Sequence, residues 1–357
     1  MRVLQVGFVP PEAGGRSPGG IASHLWELSK RLRDAGWEVH VLAHELVGPA
    51  GEREGVFVWP TPKKRRAAVY PFTTPPTPRL LRALWHELGF DPAKGLGRAY
   101  FLHRLLESVR PDAIHSHLAT SFVLGAAKAW GFSGKLVLTV HSVHELTHGS
   151  AYPRAYVRKR FGDSLSSADS IVFVHSGVAD DLVKLGFSWD APSKVIINPI
   201  DPEGFELLDR AEARRRLGLP VDAKIALFSG IMTGRKGEDK VLRAAEALPE
   251  VLFVFVGYGP RAEEVKAQAR LLRNARFLGP QPRSKMALLY NAADAFVLPS
   301  EKEGFGLSYM ESLLCGTPFV ASESLPPELR VYGHLVAGED LASAIAQALE
   351  ESWDRER

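Results

Sequence analysis

Apolar runs of strand length alternate with amphipathic segments of helix length along the first half of the chain. Continuous Val, Ile, Leu and Phe between helical segments is typical of parallel strands that are buried on both faces of a sheet. Gly19-Gly20 follow the first run and precede a helical pattern that extends to about Leu32. The predicted strands are 2–9, 37–43, 112–116, 135–141, 169–175 and 194–198.

The same alternation restarts after a linker at about residues 199–206. It predicts a second set of parallel strands, again separated by helices, at 224–230, 251–257, 276–279, 294–299 and 319–322. Two such sets in series predict an α/β protein with two doubly wound, Rossmann-like domains that face each other across a cleft. We place the N-terminal domain at 1–200 and the C-terminal domain at 201–357.

The segment from 60 to 98 interrupts this alternation. It contains the basic run KKRR (63–66), several prolines, and LLRALWHEL (80–88), in which the leucines and the tryptophan recur at helical spacing. We favour a surface insertion whose apolar face packs on the N-terminal domain. The alternative is an element that docks on the acceptor or makes peripheral contact with the anionic inner face of a membrane.

Charge and composition exclude several classes of protein. Lys and Arg total 44 against 41 Asp and Glu, which gives a formal charge of +3. This charge is too small for a protein that binds nucleic acid through bulk positive charge. The single cysteine, Cys315, excludes a disulfide framework and a cysteine-based zinc site. No run has the length of a signal peptide or a membrane span, which predicts a cytoplasmic protein. Few Asn, Gln and Met with 25 prolines are consistent with a thermophilic source or with biased base composition.

Two glycine-containing loops follow predicted strands, which is where α/β proteins bind ligands. Gly19-Gly20 let backbone N–H groups approach a phosphate, although tight turns also require glycine. The loop SGIMTGRKG (229–237) contains Gly230, Arg235 and Lys236. Taken alone, it is either a cradle for a diphosphate or a solvated basic loop.

The stretch EGFGLSYMESLLCGTPFVAS (303–322) is more informative. Glu303 lies in a predicted loop with Gly304 and Gly306, and Glu311 lies about one turn into the following helix. A helix N-terminus favours an anion in front of it, and a carboxylate further along can bind a diol such as a ribose. The simpler interpretation, that both glutamates only favour the helix N-terminus, explains less of this pattern.

Seven motifs, in register along the chain, resemble the retaining glycosyltransferases of family 4, which have the GT-B fold. The stretch 303–318 contains the two glutamates of that family, Glu303 and Glu311, eight positions apart. The resemblance covers nearly the whole chain apart from 45–111. The other motifs are GGIASHLWELSKRLRDAGWEVHVLAH (19–44), SLSSADSIVFVHSGVADDL (164–182), VIINPIDPEGF (195–205), RRRLGLP (214–220), VFVGYGP (254–260) and FLGPQPRSKMALLYNAADAFVLPS (277–300).

The resemblance implies a nucleoside-diphosphate sugar as donor, held mainly by the C-terminal domain, with no tightly bound cofactor. Lys236 would neutralise the diphosphate, and Gly306 and Leu307 would offer backbone N–H groups to the phosphate and the sugar. Glu303 would bind hydroxyls of the transferred sugar, while Glu311 would bind the ribose.

The remaining implied contacts come from both domains. Gly279 to Gln281 would lie beside the base, Gly20 would close on the diphosphate, and His141 would reach the donor sugar. His141, Glu303 and Lys236 are therefore the candidate catalytic residues. The resembled family retains anomeric configuration by front-face substitution, so we read Glu303 as a sugar anchor and not as a nucleophile.

The implied function is transfer of a hexose to a hydroxyl acceptor, which is a sugar, a polyol or a lipid-linked molecule. The alternatives are a sugar phosphorylase or epimerase on the same fold, and a binding subunit with weakened catalysis. Ile231 stands where the family has arginine, and the chain ends soon after 340–351, and both features support the binding subunit. We predict that Arg235 replaces the missing arginine beside Lys236.

Half of the 12 histidines cluster in the N-terminal domain. The short spacing of His141 and His144 raises the question of a metal site. However, histidines at strand ends are common in cores and clefts, and the resembled family binds no metal through its own side chains. We therefore expect no metal site. The clustered histidines are His115, His117, His141, His144, His148 and His175.

Overall fold

The computed structural model describes residues 1–16, 20–61, 92–147, 153–200, 202–301, 303–336 and 340–351, with residues 353 and 355. The chain divides into two compact units, Met1–Ile197 and Asn198–Arg357. This division lies three residues before the boundary that the sequence suggested at 200 and 201.

The first unit is an α/β unit with an eight-stranded sheet. Its strands are β1 (Arg2–Phe8), β2 (Glu38–His44), β3 (Gly51–Arg53), β4 (Val56–Pro60), β5 (Ala113–Ser116), β6 (Lys135–Val140), β7 (Ser170–Phe173) and β8 (Ser193–Val195). The order in the sheet is β3-β4-β2-β1-β5-β6-β7-β8; β3 and β4 pair in antiparallel orientation, and the other neighbouring pairs of these eight strands are parallel. The helices are α1 (Gly20–Asp34), α2 (Pro92–Val109), α3 (Val123–Ala129), α4 (His144–Thr147), α5 (Arg154–Ser167) and α6 (Ser176–Lys184).

Helix α1 shows why the amphipathic segments pack as they do. Its residues Ala22, Leu25, Trp26 and Ser29 recur at helical spacing, and all four are buried. The hydroxyl of Ser29 donates to the carbonyl of Leu25 at 2.8 Å, so the one polar group on this face is satisfied inside the helix. The helix packs on β1 and β2, with its first turn after the carboxyl end of β1.

The second unit is a purely parallel α/β unit. Its strands are β9 (Lys224–Ile231), β10 (Val251–Tyr258), β11 (Ala275–Gly279), β12 (Ala295–Leu298), β13 (Phe319–Ser322) and β14 (His334–Val336). The order is β11-β10-β9-β12-β13-β14, which is the 3-2-1-4-5-6 order of the Rossmann fold. The helices are α7 (Arg210–Leu217), α8 (Glu238–Ala247), α9 (Ala262–Ala269), α10 (Arg283–Ala292), α11 (Leu307–Leu314) and α12 (Leu341–Glu350).

A buried ion pair fixes the start of this second unit. Arg214 on α7 lies 2.7 Å from Asp294, and both side chains are less than a tenth exposed. The same carboxylate accepts the backbone N–H of Ile225 at 2.7 Å, at the start of β9. Asp294 therefore joins α7 to the sheet, and its charge is balanced where water is excluded.

The predicted strands are confirmed in both units, with ends that differ from the predicted ones by at most three residues. The sequence reasoning missed β3, β4 and β14, which are short and, in β3, polar. Of the segment 60–98, residues 62–91 lie outside the described residues, including the helical pattern at 80–88. In the described part of the chain, no helix is both long enough and apolar enough to cross a membrane.

Candidate functional site

The strand order of the second unit creates a position where a ligand can lie between two loops. Strands β9 and β12 are adjacent and parallel, although their connections continue to opposite sides of the sheet. In open α/β sheets, ligands bind beyond the carboxyl ends of the strands at this switch point. The two loops that leave it are 232–237, after β9, and 299–306, after β12.

The first loop is held by its own backbone and by a buried carboxylate. Gly237 has φ +79°, and a Cβ there would lie 2.6 Å from the carbonyl oxygen of Pro299, so only glycine fits. Glu238, at the start of α8, is fully buried and accepts the backbone N–H of Gly234. The sequence analysis missed Glu238. An acidic residue at the first position of a helix, next to glycine, was the available signal.

The second loop is fixed by hydroxyl groups. Tyr309 on α11 donates its hydroxyl proton to the carbonyl of Leu298 at 2.6 Å. Ser324 donates to the carbonyl of Ser300 at 2.7 Å. The backbone N–H of Glu301 donates to the carbonyl of Arg235 at 2.8 Å, which joins the second loop to the first. The two loops therefore form one connected structure.

Lys236 and Glu303 meet at this junction. The ammonium nitrogen of Lys236 lies 2.6 Å from Oε1 of Glu303, and the hydroxyl of Ser300 donates to the same oxygen at 2.6 Å. The Glu303 side chain is 9% exposed and that of Lys236 is 25% exposed. The ion pair is short and largely buried, and Lys236 is its more exposed member. It therefore offers one positive and one negative group to a ligand that binds here.

Helix α11 begins beside this pair. Gly306 has φ +77°, and a Cβ there would lie 2.5 Å from the buried ring of Tyr309. This glycine therefore allows the chain to turn tightly into the helix. The first backbone N–H groups of a helix have no partner within the helix, so Gly306 and Leu307 lie where the chain can donate to an anion.

Glu311 lies on the same helix in a second polar cluster. Its Oε2 accepts the hydroxyl of Tyr290 at 3.1 Å, and its Oε1 accepts from Arg283 at 3.0 Å. Burial raises the pKa of Glu311, and the charge of Arg283 with the Tyr290 hydrogen bond opposes that shift. The guanidinium of Arg283 also lies 4.6 Å from the centre of the Phe205 ring. Both Tyr290 and Arg283 belong to α10, and the sequence analysis assigned neither of them to the site.

The predicted base-binding residues precede α10. Gly279 ends β11 with φ +69°, and the side-chain amide of Gln281 donates to the carbonyl of Leu278 at 2.8 Å. This turn leads within four residues to Arg283, the partner of Glu311. The fold thus places the turn and the Glu311 cluster at neighbouring positions.

Two arginines, one in the first loop and one beside it, add further positive charge. The Arg235 side chain is exposed, whereas Lys236 beside it is turned toward Glu303. Arg261, which the sequence analysis did not single out, pairs with Asp239 at 2.5 Å and lies close to Gly234. Gly230 near the end of β9 has room for a Cβ, with its nearest neighbours 3.7 Å away.

In the first unit, Gly20 is the exposed first residue of α1, and Gly19 lies outside the described residues. His141 follows β6 and is 5% exposed. Burial, with a smaller contribution from neighbouring histidines, lowers the pKa of His141 to about 3, so its ring is neutral near pH 7.

Two other imidazoles surround His141. Nε2 of His141 lies 3.2 Å from Nδ1 of His117, and the ring of His24 on α1 is 5.1 Å away. The other ring nitrogen of His117, Nε2, lies 2.8 Å from Oε1 of Gln5 on β1. His144, which we considered with His141 as a metal pair, is not part of this group.

Solved structures of similar fold identify the class of protein. Sucrose-phosphate synthase from Thermosynechococcus elongatus superposes with a TM-score of 0.75 at 21% identity, covering 98% of this chain and 89% of that one. An Anabaena protein crystallised with UDP and glucose superposes with a TM-score of 0.72 at 20% identity, covering 98% and 90%. The two Rossmann-like sheets therefore define a protein of the GT-B fold.

Sequence profiles give the family. The profile described as Glycosyltransferase Family 4 matches residues 18–203, and the profile described as Glycosyl transferases group 1 matches residues 209–357. The chain belongs to glycosyltransferase family 4. This confirms the resemblance that the sequence motifs suggested.

Two curated relatives carry the name D-inositol 3-phosphate glycosyltransferase. The relative from Thermobispora bispora is 31% identical over 95% of this chain and 84% of its own length. The relative from Actinosynnema mirum is 36% identical over 66% of this chain. The match spans 63% of the length of the Actinosynnema protein, which is less than two thirds.

Proposed function

We propose that this protein transfers a hexose from a nucleoside-diphosphate sugar to a hydroxyl group of an acceptor, with retention of configuration. The observation that carries the proposal is the Lys236–Glu303 pair at the switch point of the second sheet. It offers a cation for a diphosphate and a carboxylate for sugar hydroxyls in one place. Family membership and the nucleotide-bound fold neighbour support the same donor class.

The geometry supports a separate role for each group. Lys236 lies in the loop after β9 and is partly exposed beside Glu303, so we assign it to the diphosphate, with the first N–H groups of α11. Glu303 is held by Lys236 and Ser300, so we assign it to hydroxyls of the hexose. Glu311, one helical turn further along, is assigned to the ribose, and Gly279 with Gln281 to the base.

We propose that the reaction needs no covalent intermediate with the protein. Glu303 shares Oε1 with a cation and a hydroxyl donor, which lowers its nucleophilicity. The bond between the anomeric carbon and the diphosphate breaks, the leaving phosphate oxygen accepts the acceptor proton, and the acceptor oxygen bonds to the same face of the sugar. Lys236 stabilises the charge that develops on the leaving diphosphate. The resemblance assigns Gly20 and His141 to the donor as well.

The acceptor that we propose is a sugar or a polyol, with a phosphorylated one as the first to test. The curated relatives are named for D-inositol 3-phosphate. A fold neighbour, trehalose-phosphate synthase from Burkholderia xenovorans, was crystallised with glucose 6-phosphate at 17% identity and a TM-score of 0.69.

The deciding experiment measures release of nucleoside diphosphate from UDP-, GDP- and ADP-glucose, with and without inositol 3-phosphate or glucose 6-phosphate. We expect release to depend on acceptor, and the new bond to keep the anomeric configuration of the donor by NMR. Formation of glucose 1-phosphate from a glucoside and inorganic phosphate would instead indicate a phosphorylase. Conversion of the donor sugar without acceptor would indicate an epimerase, and binding without turnover would indicate a binding subunit.

Replacement of Arg235 tests whether a second cation compensates for Ile231. One lysine leaves much of the diphosphate charge unbalanced, so we expect Arg235→Ala to weaken binding about tenfold, or about 1.4 kcal/mol. Isothermal titration calorimetry with whichever of UDP, GDP and ADP binds the wild type measures this change. Arg243→Ala, an exposed arginine on α8, is the matched control. Wild-type affinity in Arg235→Ala, with weakened binding in Lys236→Ala, would leave Lys236 as the sole phosphate cation of the loop.

A further inference from the structure

Helix α10 begins with a positive charge that its own dipole does not favour. Arg283 is the first residue of α10, directly after Pro282, and the first turn of the helix contains no acidic residue. The free N–H groups make a helix N-terminus partly positive, so an arginine there is unfavourable unless an anion lies close to it. That anion is Glu311 on α11, whose Oε1 lies 3.0 Å from Nη1 of Arg283.

The ring of Phe205 supports both side chains that donate to Glu311. Phe205 is 2% exposed, and the guanidinium of Arg283 lies over its ring, which is a cation–π contact. The buried ring of Tyr290 lies 6.2 Å from the same ring, measured between the two centres. Arg283 and Tyr290 therefore approach Glu311 from one shared apolar support, which limits the directions in which they can donate.

The carboxylate of Glu311 has acceptor positions left for a ligand. An ionised carboxylate offers about four lone-pair positions for hydrogen bonds. Among the residues that the structure describes, two side chains donate to it: Arg283 to Oε1 at 3.0 Å and the hydroxyl of Tyr290 to Oε2 at 3.1 Å. About one position therefore remains on each oxygen, and the side chain of Glu311 is 14% exposed. Two neighbouring hydroxyls, such as those of a ribose, can donate there while Arg283 stays in place.

We propose that Arg283 is a positioning residue that keeps Glu311 ionised and oriented, so that the carboxylate accepts two ribose hydroxyls of the donor. This role rests on the proposed function, in which Glu311 binds the ribose. A protonated carboxyl would donate one hydrogen bond itself and would lose the charge that strengthens the bonds it accepts. In this role Arg283 acts through Glu311 and makes no contact with the nucleotide.

Burial and charge act on Glu311 in opposite directions. Burial is the largest influence and raises the pKa of Glu311, whereas the charge of Arg283 and the hydrogen bond from Tyr290 lower it. Without Arg283 the pKa of Glu311 rises further, and more of this carboxyl is protonated near neutral pH. Among the described residues, the other titratable groups that face Glu311 are Tyr290 and Cys315. Both are neutral near pH 7, because burial raises the pKa of Cys315 to about 12 and that of Tyr290 well above its ordinary value.

Calorimetric titration with a nucleoside diphosphate and with its 2′-deoxy form tests this role. The nucleotide is whichever of UDP, GDP and ADP binds the wild type. We expect the wild type to bind the ribose form at least about tenfold more tightly than the deoxy form at pH 7. Arg283→Gln should reduce this preference severalfold, and the pH at which the preference is lost should rise by about one unit. Both nucleotides carry the same phosphates, so titration of the phosphates cancels in the comparison.

Two further variants separate the effect of the charge from an effect on structure. Arg283→Lys restores the cation and should return the preference toward the wild-type value. Lys285→Gln, the matched control, removes an exposed cation two residues further along α10 and should behave like the wild type. An unchanged preference for ribose in Arg283→Gln would overturn the positioning role. An equal loss of affinity for both nucleotides would also overturn it, because Arg283 would then contact another part of the nucleotide.

A titration without nucleotide keeps this role distinct from the proposed function. In protein labelled with [δ-¹³C]glutamate, the NMR signal of the Glu311 carboxyl is assigned by its absence in Glu311→Gln. We expect that signal to titrate about one pH unit higher in Arg283→Gln than in the wild type. Equal titration midpoints would overturn the role of Arg283 even if nucleotides bind as expected. If the wild type bound none of the three nucleoside diphosphates, the proposed function would fail, and the midpoints would still decide whether Arg283 keeps Glu311 ionised.

Discussion

Replacement of Glu303 by glutamine is expected to lower turnover by about 10²- to 10³-fold while nucleoside-diphosphate affinity stays nearly unchanged. Glutamine keeps the size of the side chain and an oxygen that can accept from Lys236 and Ser300, so the loop should retain its structure. What it removes is the negative charge that we assign to hydroxyls of the hexose. That charge should matter most when positive charge develops on the sugar in the transition state.

The comparison needs steady-state rates with the donor and calorimetry with the nucleoside diphosphate on the same preparations. Glu301→Gln is the matched control, because Glu301 is an exposed carboxylate in the same loop. If Glu303→Gln lost nucleoside-diphosphate affinity by the same factor as turnover, this carboxylate would instead act on the phosphate region through Lys236. A change in melting temperature alone, with rates intact, would remove Glu303 from the site.

Glu311→Ala, unlike Glu303→Gln, should act on binding of the nucleotide. We expect it to weaken binding of the nucleoside diphosphate by roughly 1–3 kcal/mol, since a largely buried, charge-assisted bond to the ribose is lost. Protonation should have the same effect, because burial raises the pKa of Glu311 and its charge is lost as the pH falls through that raised value. Nucleotide affinity measured from pH 7 downward therefore should decline in the wild type and stay flatter in Glu311→Gln.

The second large effect is acid destabilisation of the first unit. Burial is the first cause that lowers the pKa of His24 and His44 to about 4, and of His115 and His141 to about 3. Unfolded histidine titrates near 6.5, so the unfolded chain binds protons at a higher pH than the folded chain. The stability from these neutral rings is complete above pH 6.5 and is lost as the pH falls from there toward 3–4. Each ring adds up to about 1.4 kcal/mol per pH unit to that loss.

Tryptophan fluorescence can follow this effect in the first unit almost alone, since six of the seven tryptophans precede residue 198. We expect the free energy of unfolding in urea to fall by several kcal/mol between about pH 6.5 and 4.5. His44→Leu should reduce the slope, because it removes one buried titrating ring and keeps an apolar side chain. His103→Leu, at a partly exposed helix position, should not. A pH-independent unfolding energy in the wild type would contradict the buried neutral state.

The fold followed from the sequence because its signal is local. Continuous apolar runs such as 224–230 and 251–257 can be buried only as parallel strands covered on both faces, and both strands are present. Two of the three missed strands, β3 and β14, are short strands at the edges of their sheets. Two of the three β3 residues, Gly51–Arg53, are charged, because an edge strand is not enclosed on both sides.

The candidate donor-site residues were proposed from the sequence, through the motifs around Lys236, Glu303 and Glu311. The contacts between these side chains could not be read from the sequence. Lys236 and Glu303 are 67 positions apart, and they meet because β9 and β12 are neighbours in the sheet. Arg283 and Tyr290 reach Glu311 only because α10 packs beside α11.

The histidines of the first unit show most clearly what the sequence determines and what only the tertiary structure decides. The sequence alone determined that histidines stand at the ends of predicted strands, and it suggested His141 with His144 as the nearest pair. The tertiary structure instead joined His141 to His117 and His24 and placed Gln5, 112 positions from His117, behind them. The physical reason is that periodicity along a chain fixes which residues are buried, whereas the order of strands in the sheet fixes which buried residues meet.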